Sequence, residues 1–121
     1  MKHILIVDDE PAIAENLQAL LMAKGFEVSL AGDGSEAVEV ARLKKPDLML
    51  LDVMLPKMGG FDVCGILKGD EATKNIKIIM ITGLGRMGDV ETAFSKGADD
   101  YIIKPFDSQR LFRKIEKVLA A

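Results

Sequence analysis

The sequence predicts a doubly wound α/β domain, in which a five-stranded parallel sheet is covered by helices on both faces. Strand-like and helix-like patterns alternate five times along the 121 residues. The strand-like segments are nearly continuous apolar runs, as in strands buried on both faces, while the helix-like segments are apolar on one face only. Short connections favour right-handed crossovers between parallel strands. A chain of this length is expected to form one domain over residues 1–121.

The apolar runs, separated by turn residues, predict five strands. Their expected positions are residues 2–7, 27–31, 47–51, 76–81 and 100–103. Parallel pairing would bring the carboxyl ends of all five to one edge of the sheet, where α/β folds bind ligands. The residues alone do not fix the strand order, but a ligand crevice at that edge requires the first strand to lie beside the third.

Helical periodicity fills the intervals between the strands. The first helix starts with Pro11 in its first turn and stops at Gly25, and the second closes before Pro46 because a residue that precedes proline avoids the helical region. The third helix follows an irregular loop over residues 55–60, and the fourth follows a glycine-rich connection over residues 83–88. The inward-facing residues are expected to be Ile13, Leu17, Leu20 and Leu21; Ala37, Val38 and Ala41; Val63, Cys64 and Leu67; Val90, Ala93, Phe94 and Gly97; and Leu111, Ile115, Val118 and Leu119.

Composition excludes several classes of protein. A hydrophobic content of 49% with 29% charged residues is typical of globular proteins and not of disordered chains. No apolar run is long enough to span a membrane, and residues 1–3 lead directly into a strand instead of a signal sequence, so we expect a cytoplasmic protein without membrane contact. With Cys64 as its one cysteine, the chain forms no internal disulfide and no cysteine-based zinc site.

The charge pattern argues against direct binding of nucleic acid by this domain. The net charge is −3, whereas such binding depends on neutralising phosphates with Lys and Arg. Several cations do lie close together near the C-terminus, and we interpret them as charges that favour the negative end of a helix dipole. These are Arg110, Arg113, Lys114 and Lys117.

Four of the predicted strands end on a polar group. The first runs into Asp8 and Asp9, the third into Asp52, the fourth into Thr82, and the fifth into Lys104. In a parallel sheet these side chains would share one crevice. Carboxylates so close together repel one another and raise each other's pKa unless a cation lies among them. The pattern therefore predicts a divalent metal site.

Each of these residues also has an ordinary interpretation. Asp8 and Asp9 are suited to cap the first helix, because carboxylates favour helix N-termini. Asp52 and Thr82 occur equally well in loops, and Lys104 as a solvated surface lysine. Independent caps and loop residues do not explain why all four strand ends are polar, so we favour the shared site.

The strand-end residues lie in motifs that resemble a known family, the receiver domain of two-component response regulators. The resemblance spans the whole chain. Its motifs are Val7-Asp8-Asp9-Glu10, Leu51-Asp52-Val53-Met54-Leu55-Pro56-Lys57-Met58-Gly59-Gly60, Ile81-Thr82-Gly83 and Tyr101-Ile102-Ile103-Lys104-Pro105-Phe106. The resemblance implies a flavodoxin-like (βα)5 fold with strand order 2-1-3-4-5. It also implies a phosphoacceptor that catalyses its own phosphorylation and dephosphorylation, not an enzyme acting on a separate substrate.

Residue roles follow from the same resemblance. Asp52 is the phosphorylated carboxylate, and Mg²⁺, with Mn²⁺ as an alternative, is bound by Asp9, by Asp8 through water, by Asp52, and by the backbone carbonyl of Met54. Lys104 and Thr82 contact phosphoryl oxygens, the Lys104–Pro105 bond is expected to be cis, and Tyr101 is the switch aromatic. The implied phosphodonors are a sensor histidine kinase, a histidine phosphotransfer protein or a small acyl phosphate such as acetyl phosphate. The implied target is a downstream protein partner or output domain, and the sequence leaves open whether the domain stands alone or belongs to a longer regulator.

Two positions depart from the family pattern. Met54 and Leu84 lie two residues after Asp52 and Thr82, where relatives often carry polar side chains that tune attack by water. Since apolar groups screen hydrolytic water, we expect slow self-dephosphorylation. Two alternative functions remain open. One is a constitutive interaction scaffold, and the other is an aspartate-nucleophile phosphatase, although the latter expects a second aspartate at the position of Met54.

Overall fold

The computed structural model describes residues 1–83 and 87–121, with only the backbone of Met87. The strands are β1 (His3–Val7), β2 (Glu27–Ala31), β3 (Leu48–Asp52), β4 (Lys77–Thr82) and β5 (Asp100–Ile103). The helices are α1 (Pro11–Ala23), α2 (Gly34–Lys44), α3 (Gly60–Lys68), α4 (Met87–Ser95) and α5 (Ser108–Ala120). All strand pairs are parallel and the order is β2-β1-β3-β4-β5, which confirms the fold class and the strand order.

The sheet separates two apolar layers, because alternate side chains of each strand point to opposite faces. Leu5 and Val7 belong to the layer covered by α2, α3 and α4, whereas Ile4 and Ile6 belong to the layer covered by α1 and α5. The central strand β3 is buried along its whole length. Helices on both faces therefore leave the carboxyl edge of the sheet as the place where the polar strand ends meet.

Local sequence signals fix several helix ends. The Asp33 carboxylate accepts a hydrogen bond from the Glu36 backbone N–H at 2.9 Å, and the Glu36 carboxylate accepts one from Gly32 N–H at 2.6 Å. This pair resembles a capping box at the start of α2, except that Glu36 accepts from the residue before the N-cap Asp33 instead of from the N-cap itself. Asp107 caps α5 through its side chain alone, accepting from the backbone N–H of Arg110 at 2.7 Å.

Three residues differ from the inward-facing positions that periodicity predicts. Phe94 is 48% exposed and Ile13 is 36% exposed, while Gly97 lies beyond the end of α4 with a φ of +100°. Successive helical side chains are about 100° apart, so only a narrow stripe of a helix reaches the sheet. Ala93 fills the position on α4 that is fully buried, and the Phe94 ring packs beside β5 instead.

The amino edge of the sheet is held by charged side chains. Lys68 on α3 donates to the Asp99 carboxylate at 2.9 Å and to the carbonyl of Ile76 at 2.8 Å. The same Asp99 oxygen accepts from the backbone N–H of Ile78 at 2.8 Å. One ion pair thus connects α3 with the starts of β4 and β5. None of the helices in the described ranges combines the length and the apolar character needed to cross a bilayer.

Candidate functional site

The strand register brings the predicted polar residues to one edge of the sheet. Val7 pairs with Leu51, Asp52 with Ile81, and Thr82 with Ile103. The polar residues at the ends of β1, β3, β4 and β5 therefore lie side by side along the carboxyl edge of the sheet. The backbone N–H of Lys104 also donates to the Thr82 carbonyl at 2.7 Å, which extends the β4–β5 pairing by one residue.

Asp52 is the buried centre of this edge, with 5% of the residue exposed. One carboxylate oxygen, Oδ1, accepts from the backbone N–H of Met54 at 3.0 Å, and the other, Oδ2, accepts from Lys104 Nζ at 3.0 Å. Partial burial lowers the pKa of Lys104, but its hydrogen bond to Asp52 and the charges of Asp52, Asp8 and Glu10 outweigh this effect, and the net shift is upward. Lys104 therefore remains a cation beside Asp52 at neutral pH.

Asp8 lies next to Asp52 and carries an incompletely satisfied charge. Only 3% of the residue is exposed, and Oδ1 accepts from the backbone N–H of Glu10 at 2.9 Å. Oδ2 is buried without a hydrogen-bond partner in the part of the chain that the structure describes. Burial raises the pKa of Asp8, and the charges of Asp52 and Asp9 add to the increase, against the lowering effects of the Glu10 N–H and the Lys104 charge. The group is therefore poorly stabilised as an anion.

These acidic residues fit a divalent cation. Carboxylate oxygens of Asp8, Asp9 and Glu10 lie within 4.8 Å of one another, and Asp9 and Glu10 are exposed to solvent. An all-oxygen donor set with open positions suits Mg²⁺, which retains several waters. The unpartnered Oδ2 of Asp8 is the group that an added cation would satisfy. Sequence reasoning did not assign a metal role to Glu10, although its place directly after the acidic pair was the available signal.

Thr82 and Tyr101 lie on the neighbouring strands. Thr82 is buried, and its hydroxyl has no hydrogen-bond partner within the described residues. Tyr101 is half-buried, and its ring meets the Phe94 ring edge-on with centroids 5.8 Å apart. Lys114 Nζ lies 4.7 Å from the Tyr101 centroid and 3.2 Å from an oxygen of Asp100. Lys114, which we expected to act only as a helix-end charge, also connects α5 to β5.

The loop after Asp52 is packed closely against two helices. A side chain on Gly60 would overlap the backbone carbonyl of Asp52, and a side chain on Gly34 would overlap the backbone of Met58. Both glycines are therefore required by close approach of the backbone.

Met54, two residues after Asp52, is 63% exposed. Leu84, the second predicted apolar residue near the site, lies outside the described residues. The Lys104–Pro105 peptide bond is cis.

Comparison with known proteins agrees with this arrangement. The family model described as the response regulator receiver domain matches residues 4–116. The DNA-binding dual master transcriptional regulator RpaA of Synechocystis is 42% identical over 119 residues, which cover 98% of this chain and 49% of that protein. The chain therefore spans about half the length of such curated relatives.

Solved structures share the complete fold. The receiver domain of the sensor histidine kinase PA1611 from Pseudomonas aeruginosa, solved with a magnesium ion coordinated in its active-site cleft, has a TM-score of 0.91 at 30% identity, covering 99% of this chain and 98% of that one. The chemotaxis response regulator CheY4 of Vibrio cholerae has a TM-score of 0.91 at 29% identity, with 98% of each chain covered.

Proposed function

Because the chain belongs to the response regulator receiver domain family, we propose that it is a phosphorylation-dependent switch with Asp52 as its phosphoacceptor. The observation that carries this proposal is the pairing of the buried Asp52 carboxylate with Lys104 Nζ at 3.0 Å, beside Asp8, whose Oδ2 has no partner among the residues that the structure describes. A carboxylate in such surroundings is a competent nucleophile for phosphoryl transfer, a reaction governed by positioning and charge neutralisation.

The side chains around Asp52 have complementary roles in this proposal. Asp8, Asp9, Asp52 and the backbone carbonyl of Met54 would hold Mg²⁺, or Mn²⁺ in its place. The bound ion would neutralise the carboxylates and the phosphoryl oxygens. Before transfer, the Lys104 ammonium group pairs with one oxygen of Asp52. After transfer, the same ammonium group would pair with an oxygen of the phosphoryl group on Asp52.

Thr82 and Tyr101 would couple phosphorylation of Asp52 to a conformational change at the protein surface. The buried Thr82 hydroxyl has no hydrogen-bond partner among the described residues, and it is therefore available to donate to a phosphoryl oxygen. In this proposal, its movement opens space into which the half-buried Tyr101 ring turns, leaving its contacts with Phe94 and Lys114. The surface formed by α4, β5 and α5 would change as a result.

The switch needs a phosphodonor and a target. We propose a sensor histidine kinase or a histidine phosphotransfer protein as the physiological donor, with acetyl phosphate as a small substitute. The relative RpaA is described as DNA-binding, and a kinase receiver shares the fold, so the target would be a downstream protein partner or an output domain.

Intact-mass spectrometry tests the phosphoacceptor directly. Incubation with acetyl phosphate and Mg²⁺ should add one phosphoryl group to the protein, and Asp52→Asn should abolish the addition. Asp62→Asn is a matched control, because Asp62 is an exposed carboxylate in the first turn of α3, whereas Asp52 is buried and paired with Lys104. Equal modification of wild type and Asp52→Asn would refute the assignment.

A further inference from the structure

The side chain of Lys114 on α5 contacts both residues at the start of β5. Its Nζ atom lies over the Tyr101 ring, 4.7 Å from the centroid, which is within the distance at which a cation attracts the face of an aromatic ring. The same atom donates to Oδ1 of Asp100 at 3.2 Å. A positive charge from α5 is therefore placed against the aromatic residue that we propose to be the switch.

Asp100 keeps the ammonium group of Lys114 beside the ring. Asp100 Oδ1 also accepts a hydrogen bond from the backbone N–H of Tyr101 at 2.8 Å, so the carboxylate is fixed to the strand that carries the ring. The side chains of Lys114 and Asp100 are only 20% and 14% exposed. Salt screens such a partly buried pair less than it screens an ion pair on the surface.

The other cations of α5 have no comparable contact. Arg110, Arg113 and Lys117 are exposed, and within residues 1–83 and 87–121 their side chains form no ion pair and no contact with an aromatic ring. A general preference of cations for the end of a helix explains these three residues, but it does not explain why Lys114 lies over the Tyr101 ring.

We propose that Lys114 is a positioning residue that holds the Tyr101 ring in its resting position and thereby determines how readily Asp52 is phosphorylated. The inference rests on the proposed function, in which Asp52 reacts most readily when the ring has turned inward. A contact made only in the resting state stabilises that state, and its removal shifts the equilibrium toward the other state. Loss of the Lys114 charge should therefore accelerate phosphorylation.

The test is the second-order rate constant for phosphorylation of Asp52 by acetyl phosphate with Mg²⁺, followed by intact mass. Lys114→Met keeps an unbranched apolar side chain and removes the charge. A cation over an aromatic ring at a partly exposed position changes an equilibrium constant about two- to fivefold, so Lys114→Met should react about two- to fivefold faster than wild type. Lys114→Gln, which also lacks the charge, should behave in the same way. Lys114→Arg should keep the wild-type rate, because a guanidinium group also stacks on aromatic faces.

Lys117→Met is the matched control, because it makes the same substitution at an exposed lysine of the same helix. It should not accelerate phosphorylation. A lysine that merely attracted the anionic donor would give a slower reaction when its charge was removed, so the increase expected for Lys114→Met has the opposite sign to a general charge effect.

A double-mutant cycle tests whether Lys114 acts through the ring. In the Tyr101→Ala background, Lys114→Met should no longer change the rate. Three results would each overturn the inference while leaving Asp52 as the phosphoacceptor: an increase that persists without the ring, an equal increase in Lys117→Met, or a rate for Lys114→Met at or below that of wild type. If acetyl phosphate labels none of these proteins, the phosphoacceptor assignment itself fails.

Discussion

Replacing Asp8 by Asn should stabilise the protein in the absence of divalent metal. The Asp8 carboxylate is buried beside Asp52, and its Oδ2 has no hydrogen-bond partner in the described structure. Asparagine has nearly the same shape, and its oxygen can still accept the hydrogen bond from Glu10 N–H. Its amide nitrogen would place a donor, instead of a second negative charge, beside Asp52. The substitution therefore removes a penalty without removing a contact.

The size of the effect follows from the burial of an unsatisfied polar group, which costs about 1–3 kcal/mol and more when the group is charged. We expect the free energy of unfolding to rise by about 1–3 kcal/mol at pH 7. For a chain of this length, each kcal/mol corresponds to roughly 4 °C in melting temperature. Asp9→Asn is the control, because Asp9 is exposed and its substitution should change stability by less than about 0.5 kcal/mol.

The gain should depend on pH. The pKa of Asp8 is raised above its ordinary value of 3.8, chiefly by burial. The folded protein therefore holds this proton more tightly than the unfolded chain does. That contribution to stability is fully present below the ordinary value and is lost as the pH rises through the raised pKa. The difference between Asp8→Asn and wild type should consequently be largest near pH 7 and shrink as the pH is lowered toward 3.8.

Thermal and urea unfolding in EDTA, and again with excess Mg²⁺, would measure these effects. A ligand present at 100 times its Kd stabilises the folded state by about 2.7 kcal/mol. Wild type should gain this stabilisation from Mg²⁺, whereas Asp8→Asn should gain less. A metal-free variant that is less stable than wild type would refute the reasoning, since Asp8 would then be making a favourable interaction that its surroundings do not reveal.

Three further predictions concern the neighbouring loops and the switch. Gly59→Ser should stabilise the protein by about 0.5–1 kcal/mol in urea unfolding, because Gly59 is the uncapped N-cap of α3 with extended φ and ψ of −67° and 161°; a lower midpoint would contradict this. The aspartyl phosphate should persist for minutes or longer, and Met54→Asn should shorten its lifetime by giving attacking water a polar partner; a wild-type lifetime of seconds would count against apolar screening. Tyr101 is the only tyrosine in a chain without tryptophan, so phosphorylation should change its fluorescence, while Tyr101→Ala should still be phosphorylated; unchanged emission would rule out the switch.

Much of the fold was predictable because its signals are local. Apolar runs bounded by turn residues located the strands within a residue of their observed ends, and the resemblance supplied the strand order. The meeting of Asp8, Asp52 and Lys104 at one edge followed from parallel pairing, since a parallel register carries each strand end to the same side.

Other features depend on how widely one element covers another, which periodicity does not encode. Ile13 and Phe94 lie at the margins of their apolar stripes, where the neighbouring elements cover them only in part, as in the edge-on contact between the Phe94 and Tyr101 rings. The sequence around Lys114 predicted only a charge near a helix end. Its contacts with Asp100 and Tyr101 could not be predicted, because the packing of α5 on β5 brings these residues together. The place of Glu10 beside the acidic pair depends on the backbone path between β1 and α1, which brings a carboxylate oxygen of Glu10 within 4.8 Å of those of Asp8 and Asp9.

Because of the ion pair between Lys68 and Asp99, the amino edge (amino rim) of the sheet should tolerate fewer substitutions than the carboxyl edge (carboxyl rim). At the amino rim, one carboxylate ties a lysine to a backbone N–H, so substitutions there would loosen three elements together. At the opposite rim, Asp8 and Thr82 each have one side-chain oxygen without a hydrogen-bond partner in residues 1–83 and 87–121. The scaffold can therefore accept new loops and new donor preferences on its reactive side while its anchored side preserves the architecture. Engineering of altered signalling specificity should start from the former and leave the latter untouched.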